Sequence, residues 1–257
     1  MRIIDAHAHL LAEPGYLDHL LRSMDDAGIE RCGLSGLGAL FKHLDNRDVR
    51  RAFEAHPDRI IGQVFVRPGV DTPELIDWAA GGGFRMVKVT LPRKPYDDPA
   101  FFPLWERAQA HGMPVLFHTG VVTTGTDDRG QGISCMQPMQ IEPITREFPE
   151  LRIIIAHLGI HWNLDAAELA RMRRHVYVDL TGEPGGWRRR VDAEGLDRYL
   201  WWPGAFGKIV FGTDVHHSKV RQILAEDLAR LERFAVPPEI QQRIFADNLL
   251  QMLAPGA

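Results

Sequence analysis

Residues 1–10 read Met1-Arg2-Ile3-Ile4-Asp5-Ala6-His7-Ala8-His9-Leu10, an apolar opening that runs into two histidines two positions apart. Successive side chains of a strand point to opposite faces, so His7 and His9 project the same way, as two metal-ligating imidazoles must. An apolar strand ending in paired histidines is expected as the first strand of a barrel whose functional residues stand at strand ends. Further ligands are then expected downstream.

Working outward, short β-branched or aromatic runs alternate with helical stretches. Strands are expected near residues 2–7, 32–35, 60–66, 84–91, 113–118, 151–157, 176–180 and 208–214. Most are followed by a helix, and a long tryptophan-bearing connection covers 181–205. Eight strands with no composition break or linker predict a single α/β domain over residues 1–257, a (β/α)8 TIM barrel rather than an open doubly wound sheet. Ala80-Gly81-Gly82-Gly83 precedes a strand where a dinucleotide-binding fingerprint would follow one, so it reads as a turn.

The 257 residues carry 30 Lys and Arg against 34 Asp and Glu, a formal charge of −4, so nothing in the balance favours nucleic acid or an anionic membrane as a partner. No apolar run approaches a membrane span, and the acid and two histidines of the opening do not suit a cleavable secretory segment. Cys32 and Cys135 lie far apart in a scaffold that needs no disulfide, and are expected as reduced thiols of a cytoplasmic protein.

The chemistry-bearing residues fall on the barrel pattern. His118 ends the fifth expected strand, His157 the sixth and Asp214 the eighth. Each has a structural alternative: a histidine capped by a backbone group, or an aspartate capping the next turn. The coincidence of all five at equivalent strand ends favours a metal site. Imidazole and carboxylate suit Zn²⁺, Mn²⁺ or Fe²⁺, and an aspartate beside an activated water can take its proton.

The segments DAHAH at 5–9, PVLFHTG at 114–120, IIIAHLG at 153–159, FGTD at 211–214 and FADN at 245–248 resemble the metal-dependent amidohydrolase superfamily. Within it they resemble the amidohydrolase-related (amidohydrolase 2) branch, which includes ester and lactone hydrolases and non-oxidative decarboxylases. The resemblance implies His7, His9, His118 and Asp214 as metal ligands, with Asp214 also the proton acceptor. It implies His157 as a catalytic group beside water or substrate in single-metal members, or as a ligand in two-metal members. Lys88 stands where two-metal members carry a carboxylated bridge; an unmodified lysine there neutralises interior acids or binds a substrate carboxylate. The usual proline after the strand-eight aspartate is replaced by Val215-His216-His217. His216 is therefore a pocket candidate, as are His161 and Trp162 after strand six.

The implied cofactor is one divalent ion, Zn²⁺ or Mn²⁺, and the implied partner a small organic acid, ester or lactone. Arg67 and Arg129 are the arginine candidates for a carboxylate. Trp187, Trp201 and Trp202 either cover the rim or fill an interface of a homo-oligomer. The expected activity is hydrolysis of a small ester or lactone. The alternatives are decarboxylation of an aromatic or unsaturated acid and a non-catalytic metal-binding barrel.

Overall fold

A computed structural model describes residues 1–121 and 133–254; Arg129 lies outside them. Seven parallel strands are hydrogen-bonded in sequence order: β1 (Ile4–His9), β2 (Arg31–Ser35), β3 (Ile60–Val66), β4 (Met86–Val89), β5 (Val115–Phe117), β6 (Ile153–Ile155) and β7 (Val176–Val178). Helices fill most of the crossovers: α1 (Tyr16–Ala27), α2 (Asn46–Ala55), α3 (Glu74–Gly81), α4 (Phe102–Ala110), α5 (Ile141–Glu147), α6 (Asn163–Met172) and α7 (Trp187–Glu194). Helix α8 (Val220–Arg233) and the run from Pro238 to Leu253, interrupted by a π turn at Arg243–Asp247, end the described chain. No helix among the described residues is long and apolar enough to cross a membrane.

The expected eighth strand is not a ladder strand. Residues 209–214 nevertheless lie between β7 and β1: Val210 N donates to Val178 O, Ala6 N to Phe211 O and Asp214 N to His7 O. The ladder is broken by a side chain. Thr213 gives its N–H (3.0 Å) and its hydroxyl (2.6 Å) to the buried carboxylate of Asp5 instead of to a neighbouring backbone.

Two apolar clusters divide the interior. Ile4, Ala6, Ile61, Met86, Leu116 and Ile154 pack inside the curled sheet, capped by Leu249 and Met252, while a larger cluster lies between strands and helices. A bulge in β1 switches its faces. Asp5 and Ala8 oppose Cys32 and Leu34, so β1 carries one residue more than β2 over this stretch. Ala8 accordingly joins the outer cluster.

The glycines that weaken the sequence signal for β2 have a packing reason. A Cβ on Gly33 would stand 2.2 Å from Gln63 Nε2 and 3.0 Å from Ala6 O. Those two atoms are themselves hydrogen-bonded at 2.6 Å across the interior. Gly33→Ala is therefore expected to displace Gln63 and lower stability by about 1–3 kcal/mol, the usual cost of overpacking, read as a lower urea midpoint with an unchanged slope.

Candidate functional site

The site is built on the carboxyl ends of β1, β5, β6 and β7 and on segment 209–214. His7 is fully buried. Its Nδ1 donates to Asp179 Oδ2 at 2.9 Å, which leaves Nε2 with a lone pair that accepts from Lys88 Nζ at 2.7 Å and faces Asp214 Oδ1 at 3.7 Å. A carboxylate behind a histidine fixes tautomer and ring orientation and raises ligand basicity. His9 Nδ1 is held 2.9 Å from Ser35 Oγ, and its Nε2 lies 3.0 Å from the same Asp214 oxygen. One donor atom from each of His7, His9 and Asp214 falls within 4.8 Å of the others. Two imidazole nitrogens and a carboxylate oxygen suit Zn²⁺ or Mn²⁺.

His118 stands outside that set, linked through a second chain of bonds. His157 Nδ1 lies 2.8 Å from Thr181 Oγ1 and 3.2 Å from Thr181 O. The threonine hydroxyl is already donated to Asp179 Oδ1 at 2.6 Å. Thr181 can therefore only accept from His157, so the His157 proton sits on Nδ1 and its Nε2 is an acceptor. His118 Nδ1, 3.1 Å away, must then donate to it. That leaves His118 Nε2 as a lone pair, buried and without a partner among the described residues. An orphaned imidazole lone pair beside a histidine and carboxylate cluster has the chemistry of a cation ligand.

Burial is the largest influence on each of the shifted groups. Burial, then the Lys88 charge, pushes His7 down to about 4 against the pull of Asp214 and Asp179. Burial, then the neighbouring His157, holds His118 well below the ordinary imidazole range. Burial raises the Asp214 carboxyl, but His7, His9 and His157 together hold it well below the ordinary carboxylate range. Burial brings Lys88 down to about 8, with Asp214 and Asp179 opposing it.

A cavity of about 300 Å³ opens above these groups. His9, Lys88, His118 and Asp214 line its polar part and Leu11, Leu37 and Phe41 its apolar wall. His216 also lines it from a half-buried position, braced 2.8 Å from Ser218 Oγ and 3.2 Å from Glu13 Oε2. Arg67, His161 and Trp162 are not among its lining residues. Arg67 Nε donates to Leu91 O, His161 is exposed and Trp162 half-buried just before α6. Trp187 donates its indole N–H to Thr181 O, beneath the rim; Trp202 packs on the core and Trp201 is exposed.

Sequence reasoning missed Asp179, Thr181, Asp5 and His43. Asp179 and Thr181 were legible only as the Asp-x-Thr that ends a strand. His43, which lines the cavity, has no local signal at all.

Several known proteins resemble the chain. A dihydroorotase of Yersinia enterocolitica is 42% identical over 62 residues, 24% of this chain and 18% of the relative, so the likeness spans under a fifth of that protein's length. Among solved structures, an uncharacterised TIM-barrel protein of Bordetella bronchiseptica has a TM-score of 0.73 at 18% identity and covers 98% of each chain. A probable 2-pyrone-4,6-dicarboxylic acid hydrolase of Acinetobacter baumannii with bound citric acid scores 0.69 at 14% identity, over 98% of this chain and 99% of that one. A manganese-bound dihydroxybenzoic acid decarboxylase of a Polaromonas species scores 0.68 at 16% identity, over 98% and 96%. At these identities the structural likeness is one of fold, a TIM-barrel-like architecture. The family model described as Amidohydrolase matches residues 4–253, and the chain belongs to the amidohydrolase family.

Proposed function

We propose that this protein is a metal-dependent hydrolase of a small ester or lactone, with segment 209–214 filling the eighth place of its barrel. The observation that carries the reading is the convergence of His7 Nε2, His9 Nε2 and Asp214 Oδ1, the last two belonging to residues that line a small cavity. A divalent ion held there would supply Lewis acidity and acidify water. His7, His9, Asp214 and, by its orphaned Nε2, His118 are the residues that would hold it.

The chain's own groups account for the proton. Asp214 Oδ1 faces the two β1 histidines, and Oδ2 is 3.6 Å from His157 Nε2. Oδ2 is thus the atom placed to accept a proton from an attacking water, as a carboxylate positioned for general base work must be. His157 Nε2, 3.6 Å from Oδ2, already accepts the His118 Nδ1 proton, so Asp214 is itself the group that would return the proton to the leaving oxygen. Lys88 Nζ, on the same cavity, can leave its bond to His7 for a substrate oxygen.

A second reading, non-oxidative decarboxylation, is favoured by the pairing of the Lys88 ammonium with the apolar wall of Leu11, Leu37 and Phe41, which suits a carboxylated ring. The Polaromonas relative in fold is named for that reaction.

Metal analysis of protein purified without chelator is expected to give one Zn²⁺ or Mn²⁺ per chain, and stripping it should abolish turnover until an ion is restored. His7→Ala should lose metal and activity together. Asp179→Asn, which leaves every proposed ligand in place but alters the hydrogen bond behind His7, is expected to weaken metal binding by about 10–100-fold. Full activity of stripped protein would refute the reading.

The reaction is decided by a panel of small lactones, esters and carboxylated aromatics assayed for both acid formation and carbon dioxide release. Acid formation is expected, falling by about 10²–10⁴ in Asp214→Asn as the proton acceptor is lost. Carbon dioxide from an aromatic acid, with no hydrolysis across the panel, would replace the hydrolase by the decarboxylase.

A further inference from the structure

The connection between β2 and α2 carries a histidine that neither the metal set nor the proton path uses. His43 lines the cavity, yet its buried Nδ1 has no hydrogen-bond partner among the described residues. An unmade buried hydrogen bond costs about 1–3 kcal/mol, and such groups in native proteins call for a reason. Loose placement is not the reason. His43 forms an antiparallel bridge with Leu11, and the bond is flanked by Ala12 N to Lys42 O and Leu44 N to Leu10 O, both 2.9 Å. The imidazole is also packed between two rings, its centroid 5.1 Å from that of His9 and 5.9 Å from that of Phe41.

Leu37, Phe41 and His43 all come from this one connection, and all line the cavity. Its volume of about 300 Å³ is at the small end for organic ligands and leaves room for a single ring. A ring set with its reacting group toward Asp214 and Lys88 would lay its apolar body on Leu37 and Phe41. His43 Nδ1 is closed to a water-sized group, so Nε2 is the nitrogen that can meet that body, as donor or acceptor according to tautomer. We infer that His43 is a substrate-binding residue that selects ring substrates carrying a hydroxyl or carbonyl oxygen on the edge facing the β2-to-α2 connection. This rests on the reading of the cavity as the site for a small organic acid or its ester, and names the substituent that site prefers.

Binding without turnover tests it. Metal-loaded protein is titrated calorimetrically with benzoate, 3-hydroxybenzoate and 4-hydroxybenzoate. The wild type is expected to bind at least one hydroxybenzoate about fivefold more tightly than benzoate, the worth of one net hydrogen bond. His43→Phe should erase that preference with benzoate affinity and metal content unchanged, and His43→Asn, which keeps a donor and an acceptor, should recover part of it. His43→Leu repeats the comparison should phenylalanine overpack the site. Equal affinities in the wild type, no binding of any of the three, a preference that survives in the apolar variants, or metal loss in both of those variants would each overturn the inference. Failure of the hydrolase reading would show instead as absent turnover in the assay panel, with the binding preference intact.

Discussion

The buried carboxylate of Asp179 ties the site together. It stands one residue past β7 and accepts four hydrogen bonds: from His7 Nδ1 at 2.9 Å, the His157 N–H at 2.7 Å, the Thr181 N–H at 3.1 Å and the Thr181 hydroxyl at 2.6 Å. Burial alone would push such a carboxyl up, but the hydrogen bonds from His7 and Thr181 hold it below the ordinary carboxylate range. An ionised group in the interior is tolerable only when so paired, and removing its partner in a buried pair typically costs about 3–5 kcal/mol. Four bonds therefore do two jobs. They stabilise the charge, and they set which nitrogen of His7, of His157 and, one step further, of His118 is left as an acceptor.

What the sequence made legible follows from how local each signal is. The shared direction of His7 and His9 depends only on the two-residue period of a strand, and the placement of His118 and His157 only on apolar runs that stop at a histidine. Asp179 depends on the approach of β7 to β1 across segment 209–214, a relation between positions 172 residues apart. His43 is harder still, because it reaches the cavity through backbone bonds between two connections, neither of which has a regular period. Arg67 was read from its place at a strand end, but its guanidinium turns to the Leu91 carbonyl.

Segment 209–214 shows the same limit within a run that reads as a strand. Val210 and Phe211 pack as strand residues do, on opposite sides of the sheet. Beyond them the needs of the site prevail over the ladder. Gly212 is pressed against β1, where a Cβ would lie 2.8 Å from that of His7, and Thr213 is taken up by Asp5. Burial raises Asp5 to about 7, with the Thr213 and His7 bonds opposing the rise. The same carboxyl accepts the His7 N–H at 2.9 Å within β1, so one buried group fixes both Thr213 and the stretch of strand that carries His7.

The same tethers account for strain at the site. Asp214, His157 and Leu158 have φ of 49°, 59° and 44°, left-handed values that non-glycine residues rarely take. Each such residue costs of order 1–3 kcal/mol and persists where its surroundings over-determine it. Here the surroundings are the bonds already named: Asp214 N to His7 O at 2.7 Å, His157 N to Asp179 Oδ1 and Leu158 N to Asp179 O at 2.8 Å. A relaxed strand would continue past these positions and alternate its side chains onto both faces. The left-handed turn ends each run abruptly and brings the Asp214 carboxylate and the His157 imidazole to 3.6 Å from each other, beside the cavity. A network that holds its acceptor and donor atoms in place before a ligand arrives need not reorganise during reaction, and this is where electrostatic catalysis gains most.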